Sequence, residues 1–349
     1  MRKNAKVFID PRSTINYSSF YIKGLYDVFG KKNVRFSEKY FKTLTEIDML
    51  MAFVVVERDI TKKIIIDYRD QSDVISNAWL WADIYAKINV NKNTLPDNVP
   101  DKLVCIPPSF AIKLWNPYEL ICNLFGNFVK AGIIKRSKDR NIHLQPVRWI
   151  RNYLSLLKRQ KLEYYEQVNN HTDNYVFFAS TFWHEGMKMK TNIFRKHYIL
   201  SCYNNPKIDY EGGFFINKGV PCPDDIPPKL LFYKFIPNSV YTEKIKKSRF
   251  VFNTPAVLNC HGWKLGEFLC MGKAIISTPL ANELSEPLIH GRHIYLIDDI
   301  EDMDTAINIL LNDDELLFRL EKNAKDYYNK FVAPAKVIEQ IINKISHLA

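Results

Sequence analysis

No run of 18 or more apolar residues occurs in the 349-residue chain, which excludes a membrane-spanning helix at the level of sequence. The first residues, MRKNAKVFIDPRS, join a basic start to a short apolar run broken by Asp10 and Pro11. That is no signal peptide, and KVFID reads as a first strand. The six cysteines (Cys105, Cys122, Cys202, Cys222, Cys260, Cys270) form no CxxC pair and no cluster with zinc-ligand spacing. Several sit in apolar runs such as KLVCIPP and GEFLCMG, so buried reduced thiols in a reducing compartment, the cytoplasm, are expected. Glycine is scarce, at 12 residues. No short-period repeat or low-complexity tract is visible.

What remains is a globular composition. A 47% hydrophobic chain of this length, with mean hydropathy −0.22, suits two domains rather than one core. The formal charge of +11 is unevenly placed: residues 130–161 hold ten Lys or Arg against a single acid, Asp139. Such an asymmetry calls for an acidic partner, whether membrane lipid, a phosphorylated acceptor or nucleic acid.

Along the first half, short apolar runs at KVFID, NVRFSE, MLMAFVVVE, KKIIID, IYAKINV and KLVCIPP read as strands. Helical patterning separates several of them, and continuous apolar strands of this kind imply a parallel sheet covered on both faces. Residues 117–134 and 146–167 read as helices, and VNNHTDN (168–174) as a polar linker. The alternation restarts at YVFFAST (175–181), with a helix near 191–200, a strand at HYILSCY and an irregular Pro- and Gly-containing stretch over 210–229. LLFYKFI, RFVFNTP, KAIISTP and HIYLID follow as strands around helices at VYTEKIKKS and WKLGEFLCMG, and helices from 301 close the chain. The expected class is α/β, with two doubly wound Rossmann-like domains. The expected boundaries are 1–170, 171–328 and a terminal helix over 329–349 that returns to the first domain.

The segment richest in chemistry is residues 248–297. It reads as strand, loop, short helix, strand, and a doubly wound sheet binds ligands outside the carboxyl ends of its strands. The helix starting near Trp263, preceded by His261 and Gly262, offers unpaired N–H groups to a phosphate. Lys264 adds a full charge there, and Glu267, one turn on, can accept hydrogen bonds from sugar hydroxyls. Gly266 and Gly272 serve packing and the helix C-terminus.

The run Glu267-Phe-Leu-Cys-Met-Gly272-Lys273-Ala-Ile-Ile-Ser277-Thr278-Pro279 resembles the nucleotide-sugar-binding region of GT-B glycosyltransferases. His290-Gly291-Arg292-His293 is similar to that family's approach to its next strand. The resemblance covers residues 175–340, and it departs at Asn259, where many retaining members carry the first of two glutamates. That points to a divergent bacterial member of the group 1 or exostosin-like kind. It implies two domains facing a central cleft, a nucleoside-diphosphate sugar as donor and a glycan or lipid-linked acceptor. It also implies Arg195 near the diphosphate, Tyr241 near the base, and no metal or other cofactor, because Arg, Lys and helix dipoles neutralise the leaving diphosphate.

For the base that takes the acceptor proton, Asp67 and Asp70 in IIIDYRDQSD lie just past a buried strand, with Asp73 and Asp10 as further candidates. Interleaved with Trp149 and Tyr153, the basic residues Arg148, Arg151, Lys158 and Arg159 suit an anionic membrane surface or an acceptor. The sequence reading is thus a cytoplasmic glycosyltransferase of bacterial surface polysaccharide or lipid-linked oligosaccharide synthesis, with no nucleic acid expected. A non-catalytic nucleic-acid-binding protein using the basic face, or a nucleotide-sugar epimerase of the same build, is the alternative.

Overall fold

The computed structural model describes residues 5–91, 93, 101–137, 145–167, 173–183, 190–222 and 225–347. Lys138, Asp139, Arg140 and most of the VNNHTDN linker lie outside the described residues. The chain divides into two compact units, Met1–Leu162 with Glu283–Ser285 and Lys330–Ala349, and Glu163–Asn282 with Glu286–Asn329.

Unit 1 is built on a six-stranded sheet in the order β2-β1-β3-β4-β5-β6. Its strands are β1 (Lys6–Ile9), β2 (Val34–Phe36), β3 (Leu50–Glu57), β4 (Ile60–Asp67), β5 (Ile84–Lys87) and β6 (Leu103–Cys105). Six consecutive residues of β3, Leu50 to Val55, are buried, so both faces of the sheet are covered. The sheet is mixed rather than parallel throughout: β3 runs antiparallel to both β1 and β4. For β3 and β4 the reason is connection length. Only Arg58 and Asp59 separate the paired Glu57 and Ile60, and a parallel crossover needs a dozen or more residues.

Helix α1 (Ile15–Phe29) follows β1, and α2 (Ser76–Trp81), α3 (Pro117–Ser137), α4 (Pro146–Ser155) and α5 (Leu162–Glu166) come later. At Gly24 a side chain would overlap the carbonyl oxygen of Pro334, which is how closely α1 packs on the last helix of the chain.

Unit 2 is a doubly wound sheet. Its strands β7 (Tyr175–Thr181), β8 (Asp209–Phe215) and β9 (Leu231–Phe232) pair in parallel, as do β10 (Phe250–Asn253), β11 (Ala274–Ser277) and β12 (Tyr295–Leu296). The two triplets meet edge to edge at β7 and β10, where Arg249 N–H donates to Tyr175 O at 2.8 Å and Phe177 N–H to Ser248 Oγ at 2.7 Å. The strands thus form two three-stranded parallel sheets, β7-β8-β9 and β10-β11-β12, and in a Rossmann-type fold the junction where the strand order turns back is the topological switch point. Its helices are α6 (Lys190–Asn204), α7 (Asn238–Lys247), α8 (Trp263–Met271), α9 (Asp302–Asn312) and α10 (Asp314–Tyr327), and α11 (Pro334–His347) belongs to unit 1. Tyr198 stacks on Phe252 at 4.5 Å between ring centroids in the centre of the core.

Three segments differ from expectation. Residues 146–167 are not one helix: extended backbone at Arg159 (φ −89°, ψ 157°) separates α4 and the turn after it from α5. HYILSCY is helical, the second half of α6, because Arg195, Tyr198, Ile199 and Cys202 are buried at i, i+3, i+4 and i+7. The stretch after 208 is not irregular at its start: DYEGGFF is β8. Gly212 (φ 121°) and Gly213 (φ 139°) permit it, because a side chain would overlap the carbonyl oxygens of Phe178 and Leu230 respectively.

Gly212→Ala should therefore cost about 3 kcal/mol or more, since backbone rather than a flexible side chain must yield. Urea unfolding followed by circular dichroism measures it. An unchanged midpoint would mean that β8 does not pack against β7 in this way.

Candidate functional site

The carboxyl ends of β7 and β10 gather most of the donor-site residues singled out in the sequence. Helix α6 brings Arg195 to them: it is 6% exposed, and its Nε donates to Thr254 Oγ1, just past β10, at 2.9 Å. The start of α6 is fixed on both sides, by Thr191 Oγ1 donating to Pro255 O at 3.0 Å and Asn192 Nδ2 donating to Trp183 O at 2.8 Å. The arginine is thus held rather than free to swing into solvent.

Helix α8 supplies the rest. Gly262 is its N-cap, no side chain caps it and its first turn contains no acid, so the positive end of the helix dipole meets no side-chain countercharge in that turn, while the Leu265 N–H donates to Gly262 O at 3.2 Å. Lys264 in that turn donates from Nζ to Ala179 O at 2.6 Å, its ammonium 4.8 Å from the Phe178 ring centroid and 5.9 Å from that of Tyr241. Glu267, 5% exposed, follows one turn later, and His261, 7% exposed, precedes the cap. Tyr241 on α7 meets Phe177 edge-on at 5.8 Å, and its hydroxyl is buried with no hydrogen-bond partner among the described residues.

Burial and like charge together set the electrostatics. Desolvation, with the positive charge of Arg195 adding to it and Glu267 opposing it, pulls the Lys264 ammonium down to about 7. Desolvation likewise lowers Arg195 to about 10. Burial, reinforced by the Glu267 charge, raises the Tyr241 phenol well above its ordinary range. Two buried cations at the N-terminus of α8, offset in part by the Glu267 charge, favour an anion with several oxygens.

The loop between β10 and α8 is unusual. Leu258 (φ 56°) and Asn259 (φ 59°) are both left-handed, and the turn closes with Ala256 N–H donating to Cys260 O at 2.9 Å. Neither residue is glycine, so the conformation is strained and must be imposed by its surroundings. Asn282 Nδ2 contributes by donating to Asn259 O at 3.1 Å.

In unit 1 the acids named from the sequence differ among themselves. Asp67 is fully enclosed, with Arg69 Nη2 at 3.0 Å, Lys87 Nζ at 2.9 Å and the Tyr85 hydroxyl at 2.7 Å. Asp10 is likewise enclosed and paired with Arg12 at 2.6 Å. Asp70 and Asp73 are exposed, and Asp73 lies 3.5 Å from Arg69 Nη1. Arg148, Arg151, Lys158 and Arg159 sit on or just after α4, with Arg148 3.3 Å from Asp48. Among the described residues no group of three or more His, Cys, Asp or Glu side chains could hold a metal ion. Sequence reasoning missed Thr254, which orients Arg195, and the Ala179 carbonyl that receives Lys264. The first was findable, as the one hydroxyl residue of RFVFNTP; the second carries no side-chain signal.

No family model matches the chain, and no curated protein matches it in sequence. Its structure is distantly similar to those of several glycosyltransferases. One is Anabaena HepE in complex with UDP and glucose, at TM-score 0.43 and 12% identity over 80% of this chain and 71% of that one. Another is an alpha-glucosyltransferase in complex with UDP-glucose and abasic DNA, at 0.43 and 12% over 80% and 72%. A glycosyltransferase from Rickettsia africae gives 0.41 and 10% over 81% and 70%. The chain spans only 37% of the S. aureus TarM mutant and 54% of TarM in a second structure.

The Lys264 environment makes a signed prediction. An anion favours the ammonium form, which in the free protein is lost above about pH 7. The affinity advantage of wild type over Lys264→Met for inorganic pyrophosphate should shrink as pH rises, by up to about tenfold per unit. Calorimetry across the range gives the two profiles, and parallel profiles would exclude Lys264 as the ionising contact.

Proposed function

We propose that the protein is a GT-B-type glycosyltransferase, moving a sugar from a nucleoside diphosphate to an acceptor hydroxyl. The observation that carries this is the convergence of Arg195, Lys264 and the uncapped N-terminus of α8 on the switch point of unit 2, with Glu267 one turn behind. Arg195, Lys264 and the α8 amides bind the diphosphate, Glu267 accepts from donor sugar hydroxyls, and Tyr241, His261 and Gly262 complete the pocket wall. In the reaction the acceptor oxygen bonds to the anomeric carbon as the bond to the diphosphate oxygen breaks. The cations stabilise the charge left on that oxygen. The acceptor proton goes to Asp70, which is exposed, while the enclosed Asp67 anchors its loop through Arg69. No metal or other cofactor enters this scheme. Unit 1 holds the acceptor, and the product belongs to bacterial surface polysaccharide or lipid-linked oligosaccharide synthesis in the cytoplasm.

Glu267→Ala and Lys264→Ala should each lower transfer about ten- to a hundredfold, the value of a charge-assisted hydrogen bond of about 1.5–3 kcal/mol. A hydrolysis screen across common nucleotide sugars, with thermal shift for UDP, GDP and CDP, reads both binding and turnover. Wild-type turnover in both variants would sink the donor-site assignment. A response to oligonucleotides and to no nucleotide would favour the nucleic-acid-binding alternative.

A second observation favours action at an anionic membrane surface. Helix α3 exposes Tyr118, Ile121, Phe125, Val129 and Ile133 along one face, each 44–77% exposed, and α4 adds Val147, Ile150 and Leu154. Lys158 and Arg159 follow α4 directly. Apolar side chains framed by cations suit the boundary between acyl chains and acidic headgroups, where each cation contributes about 1 kcal/mol. No helix among the described residues is long and apolar enough to cross a membrane. Vesicle flotation should show salt-sensitive binding to anionic lipid that Phe125→Ser with Lys158→Gln and Arg159→Gln abolishes. A wild type that fails to float even at low salt removes this reading.

A further inference from the structure

The motif His290-Gly291-Arg292-His293 takes no part in the donor chemistry. It forms the turn that enters β12, the edge strand of its three-stranded sheet. The turn is tight: Ile289 O accepts from the N–H groups of Arg292 at 3.2 Å and His293 at 2.9 Å, and Gly291 N–H donates to Ile294 O at 2.8 Å. Gly291 is left-handed there, at φ 70°, which a residue without a side chain adopts readily.

Both imidazoles of the motif close this turn as acceptors. Ile289 N–H donates to His293 Nδ1 at 3.1 Å, and Leu296 N–H donates to His290 Nδ1 at 3.0 Å. An imidazole accepts only at an unprotonated nitrogen, so each ring is neutral with its proton on Nε2. The second bond also protects the sheet. Ile297 N–H donates inward, to Ser277 O at the end of β11, at 3.0 Å, so the N–H of Leu296, one residue earlier, points to the open side. His290 therefore caps an outward N–H of an edge strand, a group that otherwise serves as a template for pairing with another chain.

Protonation removes both bonds. An imidazolium is a donor at both nitrogens, so neither Nδ1 can then accept, and two new charges appear beside Arg292. From α10, Tyr327 packs against His293 at 5.3 Å between ring centroids, and Asn323 Nδ2 donates to Arg292 O at 3.0 Å. The acid of that helix next to Tyr327, Asp326, is paired with Lys322 at 3.2 Å. Glu286, ahead of the turn, is exposed and receives the Tyr327 hydroxyl at its carbonyl rather than its carboxylate. From β12, Tyr295 packs against His290 at 4.8 Å. Burial, with the Arg292 charge adding to it, holds the His293 imidazole below its ordinary range. A histidine lowered on folding contributes its stability in full above its unfolded value, about 6.5, and loses it as pH falls. His290 is exposed and His293 half-buried, so protons reach both rings.

We propose that residues 289–296 form a proton-operated latch on the edge of unit 2, closed while both imidazoles are neutral and released as they are protonated, which bares the outward edge of β12. The latch is independent of the transferase reading, since none of its residues belongs to the donor site.

Hydrogen exchange read by mass spectrometry on the full chain tests it, at about pH 7.5 and about pH 5.5, on either side of the ordinary imidazole value. Rates are corrected for the intrinsic pH dependence of amide exchange. Protection of peptides covering 288–297 should fall at least about tenfold at the acid pH, while peptides of β7 and β10 keep theirs. The double variant His290→Asn with His293→Asn should hold the turn at both pH values, because an amide oxygen accepts a backbone N–H and does not titrate. Melting temperature checks that the variant folds, and His290→Asn alone, at the exposed ring, should still reduce the acid loss if the pair unfolds. Wild-type protection that is indifferent to pH overturns the proposal, as does an acid loss of equal size in the asparagine variants. A loss spread evenly over unit 2 is general acid unfolding and overturns it too.

Discussion

Two cations held together away from water are the constraint around which unit 2 is arranged. Burial deprives both of solvation and shifts both toward the neutral form, and the charge of Arg195 lowers Lys264 further. Such a pair persists only where the scaffold over-determines it. Thr254 fixes the guanidinium, the Ala179 carbonyl fixes the ammonium, and Thr191 and Asn192 lock the helix that carries the arginine. The switch point is where those contributions can meet, because the helices after β7 and β10 leave the sheet there in opposite directions.

Unit 1 solves the same geometric situation in the opposite way. At the ends of β1 and β4 the chain repeats a short device, Asp10-Pro-Arg12 and Asp67-Tyr-Arg69. In each, the aspartate accepts from the backbone N–H two residues on, at 2.8 and 2.9 Å, and from that residue's guanidinium. The charges cancel inside the unit, and each arginine then ties a loop: Arg12 Nη2 donates to Leu44 O at 2.9 Å and Arg69 Nη2 to Asp73 O at 2.6 Å. The loop edge of this sheet is thereby rigid but electrically quiet.

These differences trace which features the sequence exposes. WKLGEFLCMG and KAIISTP announced α8 and β11 because a cap glycine, a helical stripe and a β-branched run agree with one another. Lys264, Glu267 and Arg195 were legible as types at positions, and so was the α/β class. The mixed sheet of unit 1 instead reads as parallel in the sequence, because β4 begins at Ile60, two residues earlier than the apolar run KKIIID suggests, and only that short connection excludes a parallel crossover. HYILSCY misled because an apolar run of seven fits a strand or a buried helix equally well until its neighbours are known. GG in β8 looked like a turn, since nothing local reveals that Phe178 and Leu230 backbone lies where side chains would go.

The loop between β10 and α8 completes the argument about strain. It must deliver Gly262 to the start of α8 within nine residues of the end of β10, while leaving the α8 amides uncapped. Successive left-handed residues reverse the chain in the least length, and Leu258 and Asn259 do so without the freedom of glycine. Glycine there would adopt the turn more easily but would also leave it more easily, since it has more unfolded conformations to lose. A strained but stiff turn, held by Asn282 and by the Ala256–Cys260 hydrogen bond, fixes the helix terminus relative to Arg195 before any ligand arrives. Preorganisation of this kind matters most where the stabilised charge appears only as a bond breaks, because dipoles already in place need not reorganise at that moment.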